Sequence, residues 1–223
     1  MVGDPDRVDA VLSYLGDVAE ISRNREYRSM KGMFNGQEIG VVSHGVGSAG
    51  AGICFEELCK SSVSRIIRVG SAGGMQEGIG TGDIVIATGA VREDGLSQKL
   101  VPATYPATVS ANVLTAMRAS AESFGYSCLE GLVLSTDLFY PREVLGSDLH
   151  LWQRAGVAAV EMECAPLFVI CSLHGVESGA VVAIDGNPLA KDDAAMESYD
   201  PHQDSVKKAV NQSIQIALNA LVS

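Results

Sequence analysis

Short apolar segments alternate along this chain with longer stretches of helical pattern, and that alternation limits the folds it can adopt. Several of the segments are apolar at nearly every position and rich in β-branched side chains. Such strands are covered on both faces, because a strand with one solvated face alternates polar and apolar residues. The candidate strands are residues 39–43, 65–69, 83–90, 129–134, 157–161 and 179–184.

Four candidate helices lie between and after these strands, at residues 49–60, 109–124, 163–173 and 203–221. The last has an apolar stripe with the 3.6-residue period of an amphipathic helix. We therefore predict an α/β protein in which a twisted, mixed central β-sheet is flanked by helices. A length of 223 residues favours a single domain over residues 1–223.

Two segments depart from this pattern. Residues 188–201 are acidic and rich in turn-forming residues, so we expect a mobile flap there. Met1 and Val2 read as the end of a strand whose earlier residues are missing, so we expect a truncated amino end.

The charge balance excludes several classes of function. The chain has 16 Lys and Arg against 27 Asp and Glu, and its formal net charge of -11 opposes binding to nucleic acid or an anionic membrane. No apolar run is long enough to span a bilayer, and no secretory leader is evident. The five cysteines form no C-x-x-C pair, so we expect free thiols, no metal site and a cytoplasmic protein.

Positive charge is scarce, yet three arginines lie on short turn-rich elements: Arg7 after Gly-Asp-Pro-Asp, Arg25 in Asn-Arg-Glu, and Arg68 before Val-Gly-Ser. A planar guanidinium matches pairs of phosphate or carboxylate oxygens. Arg68 also interrupts an apolar strand, where a charge needs a partner. If the three converge, they predict a pocket for a small anion such as inorganic phosphate.

A glycine-rich loop follows the first candidate strand. Residues 45–50 match G-x-G-x-x-G, a weak signal for a dinucleotide site and hence for an NAD(P)-binding oxidoreductase. That fingerprint expects an acidic residue at the end of the next strand, where this chain has Arg68-Val69-Gly70. Glycines that permit close helix–strand packing are the favoured interpretation, with His44 as a packed histidine.

Carboxylates follow the last two candidate strands. Glu161 is interpreted as an acid at a helix N-terminus, where the helix dipole favours it. Glu163, two residues further, is interpreted as an acceptor for the hydroxyls of a sugar. Asp185 before Gly186 is either a turn-forming residue or a partly desolvated proton donor, and the sequence leaves both open.

Several motifs occur in a fixed order along the chain: Gly3-Asp4-Pro5-x-Arg7, Asn24-Arg25-Glu26, Ser43-His44-Gly45-x-Gly47, Arg68-Val69-Gly70-Ser71-x-Gly73, Gly82-Asp83-Ile84-Val85, Ser135-Thr136-Asp137-x-Phe139-Tyr140 and Val160-Glu161-Met162-Glu163. Together they resemble the nucleoside phosphorylase-I family, which includes purine nucleoside phosphorylases and uridine phosphorylases. The match covers nearly the whole chain, and the protozoan purine enzymes look most similar.

The resemblance implies phosphorolysis of purine (deoxy)ribonucleosides to a free base and (deoxy)ribose 1-phosphate. It implies a homo-oligomer, a hexamer whose smallest active unit is a dimer, because Arg25 reaches the phosphate of the neighbouring subunit. It implies no cofactor, since phosphate is a co-substrate. The implied phosphate-binding residues are Gly3, Arg7, Arg25, Arg68 and Ser71. The implied nucleoside-binding residues are Ala72, Gly73, Tyr140, Val160, Glu161, Met162 and Glu163, and the implied catalytic acid at purine N7 is Asp185.

Uridine phosphorylase is the nearest alternative. Its pocket grips uracil with a Gln-x-Arg pair, whereas here Gln153 is followed directly by Arg154. A nucleoside hydrolase of the same fold is a second alternative, but such hydrolases lack the phosphate-binding arginines. Lys191 stands where the protozoan enzymes have a tryptophan, so the closure of the base pocket departs from the family pattern.

Overall fold

The computed structural model describes residues 1–140, 146, 148–189 and 203–223. Its strands are β1 (Gly16–Asn24), β2 (Tyr27–Phe34), β3 (Gln37–Val42), β4 (Arg65–Gly74), β5 (Ile84–Glu93), β6 (Ala107–Thr108), β7 (Leu129–Thr136), β8 (Ala159–Glu161) and β9 (Glu177–Gly186). Its helices are α1 (Arg7–Leu12), α2 (Ser48–Cys59), α3 (Gly95–Leu100), α4 (Ala111–Phe124), α5 (Leu149–Arg154), α6 (Cys164–His174) and α7 (Asp204–Leu221). The predicted flap lies outside the described residues apart from Pro188 and Leu189.

Six strands form the central sheet in the order β6-β5-β7-β8-β4-β9. The pairs β5–β7, β7–β8 and β4–β9 are parallel, whereas β4–β8 and β5–β6 are antiparallel, so the sheet is mixed. The start of β5 also pairs antiparallel with β9, where Val85 lies opposite Val182. The strands β5, β7, β8, β4 and β9 therefore close into a ring. The predicted fold class is confirmed, while the closure was not predicted.

A second, three-stranded antiparallel sheet contains β1, β2 and β3. Val2 joins the two sheets, because it bridges in parallel to Ser43 beyond β3 and to Val69 of β4. This pairing puts the segment that follows Val2 beside the strand that carries Arg68. The first two sequence motifs are thereby brought together in space.

Helices cover the central sheet on two sides, as the continuous apolar strands require. The core beneath α4 and α7 includes Val113, Met117, Val181 and Ile214, all fully or almost fully buried. The second core lies beneath α2 and α6 and includes Phe55, which is also fully buried. Both α4 and α6 end at a left-handed glycine, a backbone conformation that side chains with a Cβ disfavour.

All five cysteines are free thiols, and the nearest pair, Cys59 and Cys171, has its sulfur atoms 3.8 Å apart. Among the described helices, none combines the length and the apolar character that crossing a membrane requires. In the same part of the chain, no group of three or more His, Cys, Asp or Glu side chains is arranged to hold a metal ion.

Candidate active site

Strand ends from three parts of the sheet meet at one cavity of about 270 Å³. The parallel strands β4 and β9 end side by side, since Ser71 lies opposite Ala183 and Gly73 opposite Gly186. Val160 of β8 lies on the other side of Gly73. The carboxyl ends of parallel strands are the usual place for ligands in α/β proteins. The cavity is lined by eleven of the thirteen predicted site residues: Gly3, Arg7, Arg68, Ser71, Ala72, Gly73, Val160, Glu161, Met162, Glu163 and Asp185.

Arg68 forms a buried ionic cluster in the wall of this cavity. Its Nη2 donates a short hydrogen bond to Glu163, and its Nη1 lies 3.4 Å from Oε2 of Glu161. The side chains of all three residues are at most 6% exposed. The other oxygen of Glu163 accepts a 2.6 Å hydrogen bond from the backbone N–H of Gly47, at the start of α2. Arg68 therefore has the charge partners that its apolar strand led us to expect.

The cluster depends on the glycine two positions after Arg68. Side chains two residues apart point to the same face of a strand, so the guanidinium folds back across Gly70. A Cβ at position 70 would lie only 2.2 Å from Nη1 of Arg68 and 2.6 Å from its Cζ. Glycine at position 70 is therefore required for the observed orientation of Arg68.

The ionisation of the cluster follows from its burial and its neighbours. Burial opposes the charge on Arg68, but Glu163 and Glu161 raise the pKa of Arg68 above its ordinary value and keep it protonated. Burial raises the pKa of Glu163, although Arg68 and the Gly47 N–H partly oppose that rise. An added anion beside Arg68 would therefore compete with Glu163 for the guanidinium.

Glu161 is fully engaged by the protein itself. Its Oε2 accepts hydrogen bonds from the backbone N–H groups of Glu163 (2.8 Å) and Cys164 (2.9 Å), where α6 begins. Its Oε1 accepts a short hydrogen bond from the hydroxyl of Ser135. This geometry matches the interpretation of Glu161 as an acid at a helix N-terminus. Although Glu161 lines the cavity, its binding of a nucleoside stays a prediction.

Gly3, Arg7 and Ser71 line the same cavity as Arg68. Gly3 is fixed there because its carbonyl accepts a 2.9 Å hydrogen bond from the Gly45 N–H. The α1 helix begins at Arg7. Before it, the Asp4 side chain accepts a 2.8 Å hydrogen bond from the Asp6 N–H and forms a turn.

Arg25 lies outside the cavity of its own chain, at the tip of the β1–β2 hairpin. Its backbone is left-handed, with φ of 54°. Contacts on either side hold this turn: the Ser43 hydroxyl donates to the Glu26 carbonyl (2.6 Å), and the Tyr27 hydroxyl donates to the Gly50 carbonyl (2.9 Å). A role for Arg25 in its own cavity is excluded by this position, whereas its role in a neighbouring subunit stays a prediction.

Apolar side chains also line the cavity. Val160 and Met162 are two of the predicted residues among them, and Asp185 adds a carboxylate at the end of β9. Asp185 is only 6% exposed. Tyr140 is 72% exposed and does not line the cavity, but its ring contacts Phe139, which does. Phe139, rather than Tyr140, therefore lines the cavity, and a contact of Tyr140 with a nucleoside stays a prediction.

His44 is buried beside the cavity and packs edge-on against Phe55, with ring centroids 5.4 Å apart. Burial and the nearby charge of Arg68 lower the pKa of His44 well below its ordinary value, so the ring is neutral. Neither ring nitrogen has a hydrogen-bond partner within the described part of the chain. This is the packed histidine that the sequence favoured.

The whole chain, residues 1–223, matches the sequence profile of the phosphorylase superfamily. The chain belongs to this superfamily. A purine nucleoside phosphorylase of Plasmodium falciparum (isolate 3D7) is 38% identical over 222 residues, which cover 99% of this chain and 88% of that protein. A uridine phosphorylase of Haemophilus influenzae is 32% identical over 231 residues, covering 98% of this chain and 88% of that protein.

A solved phosphorylase structure agrees with these relatives. The purine nucleoside phosphorylase of Toxoplasma gondii, crystallised in complex with immucillin-H, superimposes with a TM-score of 0.93 at 29% identity. The match covers 98% of this chain and 87% of that chain. The resemblance to nucleoside phosphorylases, and to the protozoan purine enzymes among them, is confirmed.

Several cavity residues of this phosphorylase superfamily member escaped the sequence analysis. Leu138 and Phe139 follow β7, and Leu149 begins α5, so only the fold brings them to the cavity. The motif that ends in Phe139-Tyr140 was recognised, but the motif alone did not show which of the two rings lines the cavity. The remaining residues of the lining are Asp4, Gly45, Val46, Thr136, Gly186, Asn187 and Pro188.

Asp137 holds the neighbouring lining residues Leu138 and Phe139 in place through two hydrogen bonds. Its Oδ1 accepts a 2.7 Å hydrogen bond from the Ser48 hydroxyl at the start of α2, and its Oδ2 accepts one of 2.7 Å from the Gly95 N–H at the start of α3. These bonds hold the segment of Leu138 and Phe139 against the start of α2. The residue just before α2, Gly47, donates the backbone hydrogen bond to Glu163.

Gln153 lies away from the phosphorylase cavity. Its side-chain Nε2 donates to the Met75 carbonyl (2.8 Å), and its own carbonyl accepts from the Gln76 side chain (2.9 Å). Neither Gln153 nor Arg154 lines the cavity. The described residues therefore provide no counterpart, at this position, of the pair that would grip uracil.

Proposed function

We propose that this protein is a purine nucleoside phosphorylase that converts a purine nucleoside and phosphate to the free base and a sugar 1-phosphate. The observation that carries the proposal is that one cavity is lined by Arg7, Arg68, Glu163 and Asp185, with Arg68 and Glu163 paired. The purine relatives in the same superfamily support the same reaction.

The phosphate site is assigned to the part of the cavity that Arg7 and Arg68 line. Two guanidinium groups, the glycine backbone at Gly3 and the Ser71 hydroxyl offer the donors that a phosphate dianion needs. A phosphate held there lies beneath the sugar and is oriented to attack C1′. Positioning and fixed charge then supply most of the acceleration, because cleavage builds positive charge on the sugar.

The nucleoside is assigned to the rest of the cavity. Glu163 accepts hydrogen bonds from the ribose hydroxyls, with Met162 against the sugar, and Ala72, Gly73 and Val160 border the base. Asp185 donates a proton to N7, or a hydrogen bond, as negative charge builds on the departing base. Arg68 pairs with Glu163, so phosphate and ribose binding each reorganise the same ion pair.

The enzyme acts as a homo-oligomer, at least a dimer and in full a hexamer, in the cytoplasm. The position of Arg25 supports this assembly, since this arginine lies on a firmly held turn and does not line its own cavity. Val46 and Leu138 border the cavity with 79% and 57% of their surface exposed, as expected for residues that a partner covers. No cofactor is required.

Three alternative functions are less well supported by the residues at or near the cavity. Uridine phosphorolysis is favoured by the Haemophilus influenzae relative but is opposed by the position of Gln153. Hydrolysis needs no phosphate, and two arginines at one cavity argue against it. For an oxidoreductase, the N–H of Gly47 would face a dinucleotide phosphate, but it is already bonded to the Glu163 carboxylate.

A substrate panel tests the proposed reaction. Base release from inosine, guanosine, adenosine, methylthioadenosine and uridine is measured with and without phosphate. We expect purine release only with phosphate and weaker or no release of uracil. Release that is independent of phosphate would identify a hydrolase, and preferential cleavage of uridine would identify a uridine phosphorylase.

Mixed oligomers test the role of Arg25. R25A and D185A are each expected to be nearly inactive alone. In a mixed dimer, the site of the R25A subunit receives Arg25 from the D185A subunit and keeps its own Asp185, so activity is partly restored. Mixtures that refold together yet stay inactive would contradict a shared site.

A further inference from the structure

Asn187 is a polar cavity residue to which neither the motifs nor the proposed reaction gives a role. It follows β9 two positions after Asp185, and both residues line the cavity. Around them the lining is mainly apolar, with Leu138, Phe139 and Val160 among its members. In such a pocket a single placed polar group determines which ligand edge is accepted.

A backbone hydrogen bond fixes which end of the Asn187 amide is available. Its Oδ1 accepts a 2.8 Å hydrogen bond from the Leu189 N–H. A backbone N–H can be accepted only by the oxygen, so this bond also fixes the orientation of the amide. The NH₂ group donates to no other described residue. Asn187 therefore presents hydrogen-bond donors, rather than an acceptor, to a ligand.

The backbone at Asn187 is held in place from both sides. Asp185 and Gly186 belong to β9, and Gly186 pairs with Gly73. On the other side, the ring of Pro188 packs on Gly73, where an added Cβ would lie 2.8 Å from Cδ of Pro188. A residue before proline is also restricted to extended conformations. The donor is thus presented by a rigid segment.

The chemistry of purines supplies the matching pattern. On one edge of the ring, 6-oxopurines present two acceptors, N7 and O6, whereas adenine presents the acceptor N7 beside the donor N6–H₂. Asp185 and Asn187 are two residues apart in the chain, and both line the same cavity. A proton donor at N7 and an amide donor beside it fit the two acceptors of a 6-oxopurine.

We propose that Asn187 determines specificity, by donating a hydrogen bond to O6 and selecting inosine and guanosine over adenosine. This inference rests on the proposed function, because it takes Asp185 to face N7. With adenosine, two NH₂ groups face each other and one donor loses its partner. The loss of one such hydrogen bond corresponds to about a tenfold change in affinity.

The test compares kcat/KM for inosine and adenosine in the wild-type enzyme, N187A and N187D. We expect the wild type to prefer inosine by at least about tenfold. N187A is expected to lose about tenfold on inosine and less than about threefold on adenosine. N187D replaces the donor by an acceptor and is expected to reverse the preference. The KM for phosphate is expected to change in neither variant.

The matched control is N211A, the same substitution at an exposed position of α7. It is expected to leave both substrates unaffected. An equal loss on inosine and adenosine in N187A would overturn the inference, because it would indicate a structural role or a contact with the sugar. A wild-type enzyme that cleaves neither nucleoside with phosphate would instead refute the proposed function. Wild-type activity with no preference between the two would refute the role of Asn187 alone.

Discussion

The glycine at position 70 makes the sharpest prediction about the anion site. In G70A, the new methyl group would lie 2.2 Å from Nη1 of Arg68, far inside an ordinary contact. The guanidinium must therefore retreat by roughly an ångström or more. Its hydrogen bond to Glu163 and its alignment with a bound phosphate are both disturbed.

The size of the effect follows from the bonds that are lost. A hydrogen bond to a charged group contributes about 1.5–3 kcal/mol, so the KM for phosphate is expected to rise roughly 10- to 100-fold. The free energy of unfolding of G70A is expected to fall by less than the free energy lost in phosphate binding. The disrupted pairing between Arg68 and Glu163 lowers it, but alanine is favoured over glycine in a strand by about 0.5–1 kcal/mol and offsets part of that loss.

Initial-rate assays at varied phosphate concentration, together with urea unfolding, measure both effects. The matched control is G40A in β3, where an added Cβ meets no atom within 4 Å. G40A is expected to keep the wild-type KM and to be at least as stable. If G70A also keeps the wild-type KM for phosphate, the guanidinium of Arg68 does not hold the anion.

Four further predictions concern carboxylates. E161Q is expected to lose about 1–3 kcal/mol of stability, because Glu161 binds the first N–H groups of α6, with little change in the KM for nucleoside. E163Q is expected to raise the KM for nucleoside. If E161Q and E163Q change this KM equally in steady-state assays, a structural role for Glu161 and a binding role for Glu163 are contradicted. D185A is expected to slow purine release about 10²- to 10⁴-fold while affecting uridine much less, and parallel losses in a base-release assay would exclude proton donation to N7. Hydrogen bonds from Asn112 and then Arg65 lower the pKa of Glu177, so this group stabilises the protein above its ordinary pKa and the gain is lost as pH falls through the lowered pKa. N112A is expected to flatten the acid side of the stability–pH curve, and an unchanged curve from urea unfolding at several pH values would refute that linkage.

The sequence predicted the parts of the fold that local patterns determine. All six candidate strands and all four candidate helices are present, with ends that differ by a few residues. The β1–β2 hairpin was missed because β1 is exposed at all nine positions and has no apolar run. The closure of the ring was missed for another reason. It depends on Val85 and Val182, nearly a hundred residues apart, and no local pattern reports such a pairing.

In the candidate site too, residues with a local sequence signal were predicted, and residues brought together only by the fold were not. Arg68, Glu163 and Asp185 were found because a charge at the end of an apolar strand is conspicuous in a sequence. The partners of Arg68 were not predicted, since Glu163 reaches it from a distant part of the chain. Leu138 was missed because an apolar residue in a loop carries no signal of the cavity that it lines.

Phosphorus NMR of the reaction products distinguishes phosphorolysis from hydrolysis. Inosine is incubated with the enzyme and inorganic phosphate, and both the phosphate and any new phosphate ester are followed. Each mole of base released is expected to consume one phosphate and to yield one sugar 1-phosphate. Release of base with free ribose, and no loss of inorganic phosphate, would contradict phosphorolysis.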